Sequence, residues 1–559
     1  MVKRIINLFH KEVSGLHQAA YLLAFFAFCS QLLALIRDRI FASQFGAGST
    51  LDLYYTAFRI PDFIFVTVAS MVSISVLIPF LIERFEKGED DAKKFIDNIF
   101  SFFFSFIILV SLVAYFLTPY LLGILFPHFL YSESFPNLIS LTRILLLSPI
   151  FLGFSNLLAS ITQVYKRFVI YALSPVVYNI GIILGSVVLY PIFGLIGLGF
   201  GVVIGAFLHF AIQIPFLVQR KMFPSFSFKI NFSLIKKVVY TSIPRTITVS
   251  SNELAKLFLI SYATFFAAGS VSVFNLSFNL QNVPFSIIGM SYSLAAFPTL
   301  AKLFSGGKKD EFFEQVVSSS KHIIFWSIPI SVLFIVLRAQ IVRTILGSGM
   351  FNWDDTRLTA AALAIFTLSL VAQNMTNLFV RAFYSRGKTR TPLVMNMISA
   401  VFIVTSSFFL VHLFQNNFVF KEFFESLLKV SDVPGTVVLM LPLGFTLGLF
   451  VNLILHWIDF AIDFKKYTSN VIKTIFHVSS ASIIMGNVSY LGLNLLDNYL
   501  DVNTLLGIFL QGLLAGLLGI ISFVIVLYLL KNEELMDVWN TLHAKIWKTK
   551  DVITPDVEL

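Results

Sequence analysis

Arg37, Asp38 and Arg39 follow one another late in an apolar stretch, and Asp52, Arg59 and Asp62 come soon after. An arginine or aspartate at mid-bilayer costs about 2.5–3.5 kcal/mol on insertion scales, so such residues face a cavity, a partner or a substrate. The guanidinium fork donates two hydrogen bonds at once, which suits a phosphate or carboxylate. These residues read as one wall of a cationic cavity that binds an anionic group. Neighbours on a helix point about 100° apart, so Arg37 and Asp38 are not expected to neutralise one another. Arg59 and Asp62, three apart, can pair along one face. The alternative for Arg37 and Arg39 is snorkelling to the interface.

Further along, Glu253 and Lys256 sit one turn apart inside an apolar run. They are either a structural tie or a site where Glu253 exchanges a proton or sodium ion during transport. Asn374 is a further candidate for ion coupling.

Residues that make or break bonds are missing from the pattern. Ser305-Gly306-Gly307-Lys308-Lys309 has the letters of a phosphate loop at the wrong spacing, and Asp90-Asp91 falls in a highly charged loop. Cys29 is the only cysteine, and the nine histidines are scattered singly, so no metal site is expected. The chain is expected to be a transporter, not an enzyme, with no cofactor. Movement would be driven by a Na+ or H+ gradient, by membrane potential or by the substrate's own gradient.

The elements that must position these charges are membrane helices. The 559 residues are 57% hydrophobic and only 13% charged, against about 25% charged in soluble domains. Fourteen spans are expected, at 18–44, 51–83, 97–126, 136–163, 169–190, 193–218, 235–266, 271–301, 316–345, 358–384, 392–414, 434–462, 470–496 and 503–530. With the N-terminus inside, 28 of the 40 basic residues fall in inner segments and five in outer loops. Both termini are therefore expected to be cytoplasmic, and the net charge of +10 reflects topology, not nucleic-acid binding.

A weak repeat runs through the chain. Ala47-Gly48-Ser49 recurs as Ala268-Gly269-Ser270, and Pro175 to Asn179 recurs as Pro392 to Asn396. Each repeat holds six spans, so the halves share one orientation, as in transporters built from parallel repeats. The expected fold is all-α and polytopic: residues 1–230 form spans 1–6, 231–466 form spans 7–12, and 467–559 form an appended pair with a cytoplasmic tail.

Gln31 to Asp38, Phe45-Gly46-Ala47-Gly48, Asp52 and Ala57-Phe58-Arg59-Ile60-Pro61 resemble the opening of the MurJ (MviN) lipid II flippase family, of the multidrug/oligosaccharidyl-lipid/polysaccharide exporter superfamily. Gly269 to Ser272, Pro284, Gly289, Arg381 to Ser385 and Thr391-Pro392 resemble its second half. The resemblance implies a bacterial inner-membrane flippase of undecaprenyl-diphosphate-linked peptidoglycan precursor, working by alternating access among membrane lipids and cell-wall synthesis proteins. It places the substrate site at Arg37, Asp38, Asp52 and Arg59, with a groove for the lipid tail on spans 13 and 14. The related readings are an exporter of another lipid-linked oligosaccharide and a transport-inactive cell-wall scaffold.

This chain departs from the family at several charges. Gln31, Phe65 and Val66 stand where arginines are usual, and Ser70-Met71 stands for Glu-Gly. Asn279 takes the place of a cavity arginine, and Leu259 falls near an aspartate that binds sodium in some members. Arg39 and Arg245 are expected to supply replacement charge.

Overall fold

The computed structural model describes residues 16–71, 74–228 and 230–547. Helices account for nearly all of them, with no strand among the described residues. Eleven helices are long and apolar enough to cross a membrane, from Glu89–Leu125 to Leu505–Leu529, and each coincides with one of the expected spans. The other three expected segments, 18–44, 51–83 and 235–266, are also helical, as Leu16–Phe45, as Ser49–Ala57 with Arg59–Met71 and Ile74–Glu86, and as Phe232–Ala263. The count of fourteen is not reached by length and hydropathy among the described residues. The chain groups into two compact units: one of the residues up to Leu280 with Ile345–Ala362 and Thr389–Val451, the other of Gln281–Thr344, Leu363–Lys388 and the residues from Asn452 on.

In the first unit the opening helix, Leu16–Phe45, stops at Gly46, which takes φ +59°. A Cβ there would sit 2.9 Å from the Met350 carbonyl oxygen, so both conformation and space call for glycine. The next helix, Ser49–Ala57, is interrupted at Phe58 and resumes as Arg59–Met71. Pro61 causes this: it has no N–H to offer Ala57, four residues back, and its ring crowds that carbonyl. The interruption sets Arg59 at the start of a fresh helix.

Close helix contact in lipid comes from small residues, since apolar burial gives little advantage against acyl chains. Gly181 and Gly185 on helix Phe168–Leu184 and its π-turn meet Gly197, Gly201 and Gly205 on helix Leu195–Ala211. A Cβ on Gly181 would lie 2.3 Å from Gly205 Cα. Helix Phe168–Leu184 also packs on the opening helix, which brings Asn179 to Arg37. Hydroxyls tie helix Arg59–Met71 to helix Phe232–Ala263: Ser70 Oγ donates to Thr246 Oγ1 at 2.9 Å, Thr67 and Ser250 share a hydrogen bond of 3.2 Å, and Ser242 donates to the Met71 carbonyl at 2.8 Å. Ser70 thus stands in a neutral hydroxyl contact at a position where the family resemblance implied a carboxylate.

The second unit is built on an aromatic core of Phe312, Phe379, Phe383, Phe460 and Tyr467. The Tyr467 hydroxyl hydrogen-bonds Ser320 at 2.7 Å, satisfying the one polar atom of that ring. Helices Tyr467–Asp497 and Leu505–Leu529 pair through Gly492 against Ala515 and Gly519 against Ser489, and the first of them packs on Lys309–Val336.

Candidate functional site

Arg37 and Asp38 form the centre of a buried polar cluster in the first unit. The expectation that they would not pair is overturned. Arg37 Nε donates to Asp38 Oδ1 at 2.9 Å and Nη2 lies 2.8 Å from the same oxygen. The 100° offset applies to Cβ directions, and the long arginine stem curls back round the helix to close it. Arg37 also donates to Asn179 Oδ1 at 3.2 Å, and Asn279 Nδ2 donates to Asp38 Oδ2 at 3.0 Å. Asn179 in turn donates to Ser30 Oγ and to the Pro175 carbonyl, at 3.3 and 3.1 Å. The aspartate side chain is 3% exposed and that of the arginine 19%.

Asp52, only 6% exposed, works on backbone. Its Oδ2 accepts from Gly269 N at 2.7 Å, and its Oδ1 accepts from Ser272 N at 2.7 Å and from Ser272 Oγ at 2.5 Å. It therefore caps the helix that begins at Ser270, satisfying N–H groups that have no partner within the helix. The repeated turns touch here. Gly269 is at φ +93°, and a Cβ on it would lie 2.0 Å from the Ala47 carbonyl oxygen.

Arg59 donates from Nε to the Tyr55 carbonyl at 3.0 Å and from Nη2 to Asn275 Oδ1 at 3.2 Å, in place of the expected contact with Asp62. Asp62 lies within electrostatic reach of Arg59, Glu253 and Lys256. Glu253 and Lys256 do pair, at 2.8 Å, and the ammonium sits 5.0 Å from the centre of the Phe278 ring. Arg39 donates to the Ile345 carbonyl at 3.1 Å. Arg245 lies on helix Phe232–Ala263, but its side chain is outside the described residues.

In the second unit Asn374 is fully buried and donates to Ser327 Oγ at 2.7 Å. Gly289 makes room for it: a Cβ there would fall 2.0 Å from Asn374 Oδ1. That glycine lies in a π-turn, Ser286–Met290, directly after Pro284. No group of three or more histidine, cysteine or acidic residues placed to hold a metal occurs among the described residues.

The structure thus links Arg37, Asp38 and Asn279 by direct contacts and places Asp52 and Arg59 about two turns apart, on either side of the break at Phe58. Sequence reasoning missed Asn179, Asn275 and Ser30. Asn179 carried a signal, as the last residue of a repeated landmark, and Asn275 lies one turn before Asn279, on the same helix face.

The cluster is one cation, one carboxylate and two amides joined by hydrogen bonds. Fold and site define a multi-pass α-helical membrane transporter. A solved structure described as lipid II flippase MurJ in an inward closed conformation overlays with a TM-score of 0.72 at 21% identity, covering 92% of this chain and all of that one. An inward-facing multidrug resistance MATE family transporter of the MOP superfamily overlays at 0.62 with 14% identity, over 79% of this chain and 95% of that one. The family model for lipid II flippase MurJ matches residues 41–511, and the chain belongs to that family. A probable lipid II flippase MurJ of Thermotoga maritima is 26% identical over 525 residues, 91% of this chain and 96% of the relative. Another, of Buchnera aphidicola, is 26% identical over 391 residues, 69% of this chain and 76% of the relative.

Proposed function

We propose that this protein flips lipid II, the polyprenyl-diphosphate-linked peptidoglycan precursor, from the inner to the outer leaflet of the bacterial cytoplasmic membrane by alternating access. The observation that carries the reading is the part-exposed Arg37 side chain, held by Asp38 and Asn179 with Asn279 on the far oxygen of Asp38, in a chain of the MurJ family. The diphosphate takes the guanidinium's outward donors, and Asp38 keeps the cation in place when the cargo has left. Arg59 and Asn275 form a second donor group for phosphate or sugar.

Both termini lie in the cytoplasm, the orientation that puts 28 of the 40 basic residues inside. Residues 1–230 and 231–466 act as the two moving halves, and helices Tyr467–Asp497 and Leu505–Leu529 hold the lipid tail. Transport is coupled to an ion gradient or to membrane potential, with Glu253, Lys256 and Asn374 as the residues to change first.

The test is flipping of labelled lipid II in liposomes holding the purified protein, with Arg37→Ala run beside it. Transport that Arg37→Ala abolishes supports both cargo and site. Folded protein that moves no lipid II would overturn the reading.

A further inference from the structure

Between helices Arg390–Asn416 and Met440–Asp463 lies a short helix, Phe418–Leu428, that the expected spans did not include. Eleven residues rise about 16 Å, about half the hydrocarbon thickness, so it cannot cross. Its residues divide by face. Phe420, Phe424, Glu425 and Leu428 turn inward, and Glu425 is buried and accepts from Thr436 Oγ1 at 2.5 Å. Val419, Phe423 and Leu427, spaced four apart, make a stripe on the outside that is 76, 60 and 61% exposed, and Phe418, at the first residue of the row that continues with Glu422 and Ser426, is 74% exposed. Three large apolar side chains in one row, one turn apart, need a cover.

What covers them follows from the helix before. Asn417 is the only residue between the short helix and Arg390–Asn416, and its side chain caps the new helix by accepting from Phe420 N at 3.0 Å. Phe420 then turns back on Phe414, in the last turns of the spanning helix, with ring centres 6.4 Å apart. That helix, long and apolar enough to cross a membrane, exposes Val401, Phe402, Phe408 and Phe409, a flank that acyl chains would cover in a bilayer. The stripe therefore starts where a lipid-facing surface ends, and it is held there by a one-residue link and a ring contact.

We propose that Phe418–Leu428 lies in the membrane–water interface at the outer end of helix Arg390–Asn416, with Val419, Phe423 and Leu427 among the lipid chains and Glu422 and Ser426 toward water. Its side of the membrane, the outer leaflet, rests on the topology given under Proposed function; the embedding does not. The inner face fastens the same helix to the loop behind it, where Arg357 donates to both oxygens of Asp432, at 2.5 and 2.7 Å, and to the Lys429 carbonyl at 2.6 Å. The interface thus anchors the loop that carries this ion pair.

Because Cys29 is the only cysteine, single probes can be placed in a Cys29→Ala background. Phe423→Cys and Glu422→Cys, each labelled with an environment-sensitive fluorophore, are reconstituted at low protein-to-lipid ratio. Quenching by doxyl-labelled phospholipid is read against quenching by aqueous iodide. The expected result is lipid quenching several-fold stronger at 423 than at 422, with the iodide order reversed. Equal iodide access at the two positions would overturn the proposal. So would a 423 probe shielded from both quenchers, which would mean a protein covers the stripe. Flipping activity of the background is measured separately, so loss of transport does not bear on the embedding.

Discussion

Asp52 holds Ser272 at two points, accepting from its backbone N–H at 2.7 Å and from its hydroxyl at 2.5 Å, across a sequence separation of 220 residues. A carboxylate with three short donors is satisfied, and it has little left to offer a substrate. Hydrogen bonds to a charged group contribute about 1.5–3 kcal/mol each net, so Asp52→Ala should lower stability by about 2–3 kcal/mol once solvent and relaxation are allowed for. Asp52→Asn, keeping one acceptor, should lose less. Thermal melting in detergent measures this, and a melt of Asp52→Ala equal to wild type would refute the capping role.

Arg37 and Asp38 lead to a different pattern. Removing one member of a buried ion pair costs about 3–5 kcal/mol because the other is stranded. With its arginine side chain 19% exposed, Arg37→Ala belongs at the lower end. Adding Asp38→Asn removes the stranded charge and should restore most of the melting temperature while leaving lipid II flipping abolished. Asp38→Asn alone frees the guanidinium, so binding of a diphosphate lipid should tighten several-fold as release slows. A double variant as unstable as Arg37→Ala would show that the pair does not act as a unit.

These two aspartates show what could be read in advance. Eleven of the spans were legible because an apolar run of the right length has few alternatives, and each came within about three turns of its observed bounds. The charges were legible as anomalies, but their partners were not. Asp52 meets Gly269 and Ser272 more than 200 residues on, and nothing local announces a capping contact at that range. Pairing of Arg37 with its own neighbour was excluded by considering Cβ directions alone, without the reach of the arginine stem. Asn179 and Asn275, as neutral amides in apolar helices, left only spacing as a clue. The short helix Phe418–Leu428 escaped because a search for spans passes over anything of eleven residues.

Hydroxyl ties between helices Arg59–Met71 and Phe232–Ala263 should be individually weak. Side-chain hydrogen bonds between membrane helices average about 0.6 kcal/mol, since the separated helices find other partners. Ser70→Ala and Thr67→Ala should each cost about that much, and double-mutant cycles of Ser70 with Thr246 and of Thr67 with Ser250 should show coupling. If these helices part during transport, the same variants should change flipping rate more than stability. Strictly additive cycles at both pairs would remove the hydroxyls from the account.

Arg357 and Asp432 give a pH dependence whose sign can be worked out. Asp432 lies in the loop outside the spans, and hydrogen bonding to the Arg357 guanidinium holds its carboxyl below the usual carboxylate range. A depressed folded value means the stabilisation is complete above the ordinary carboxylate range and is lost as pH falls through the folded value. The Asp432 side chain is 72% exposed, so the effect is small and screened by salt. The melting-temperature gap between wild type and Asp432→Asn, followed from about pH 7 down to about pH 3 at low salt, should close toward the acid end. At high salt it should be nearly absent throughout. A gap that keeps its size across that range would mean the carboxylate's charge is not what Arg357 responds to, and that the loop is held by the Lys429 carbonyl alone.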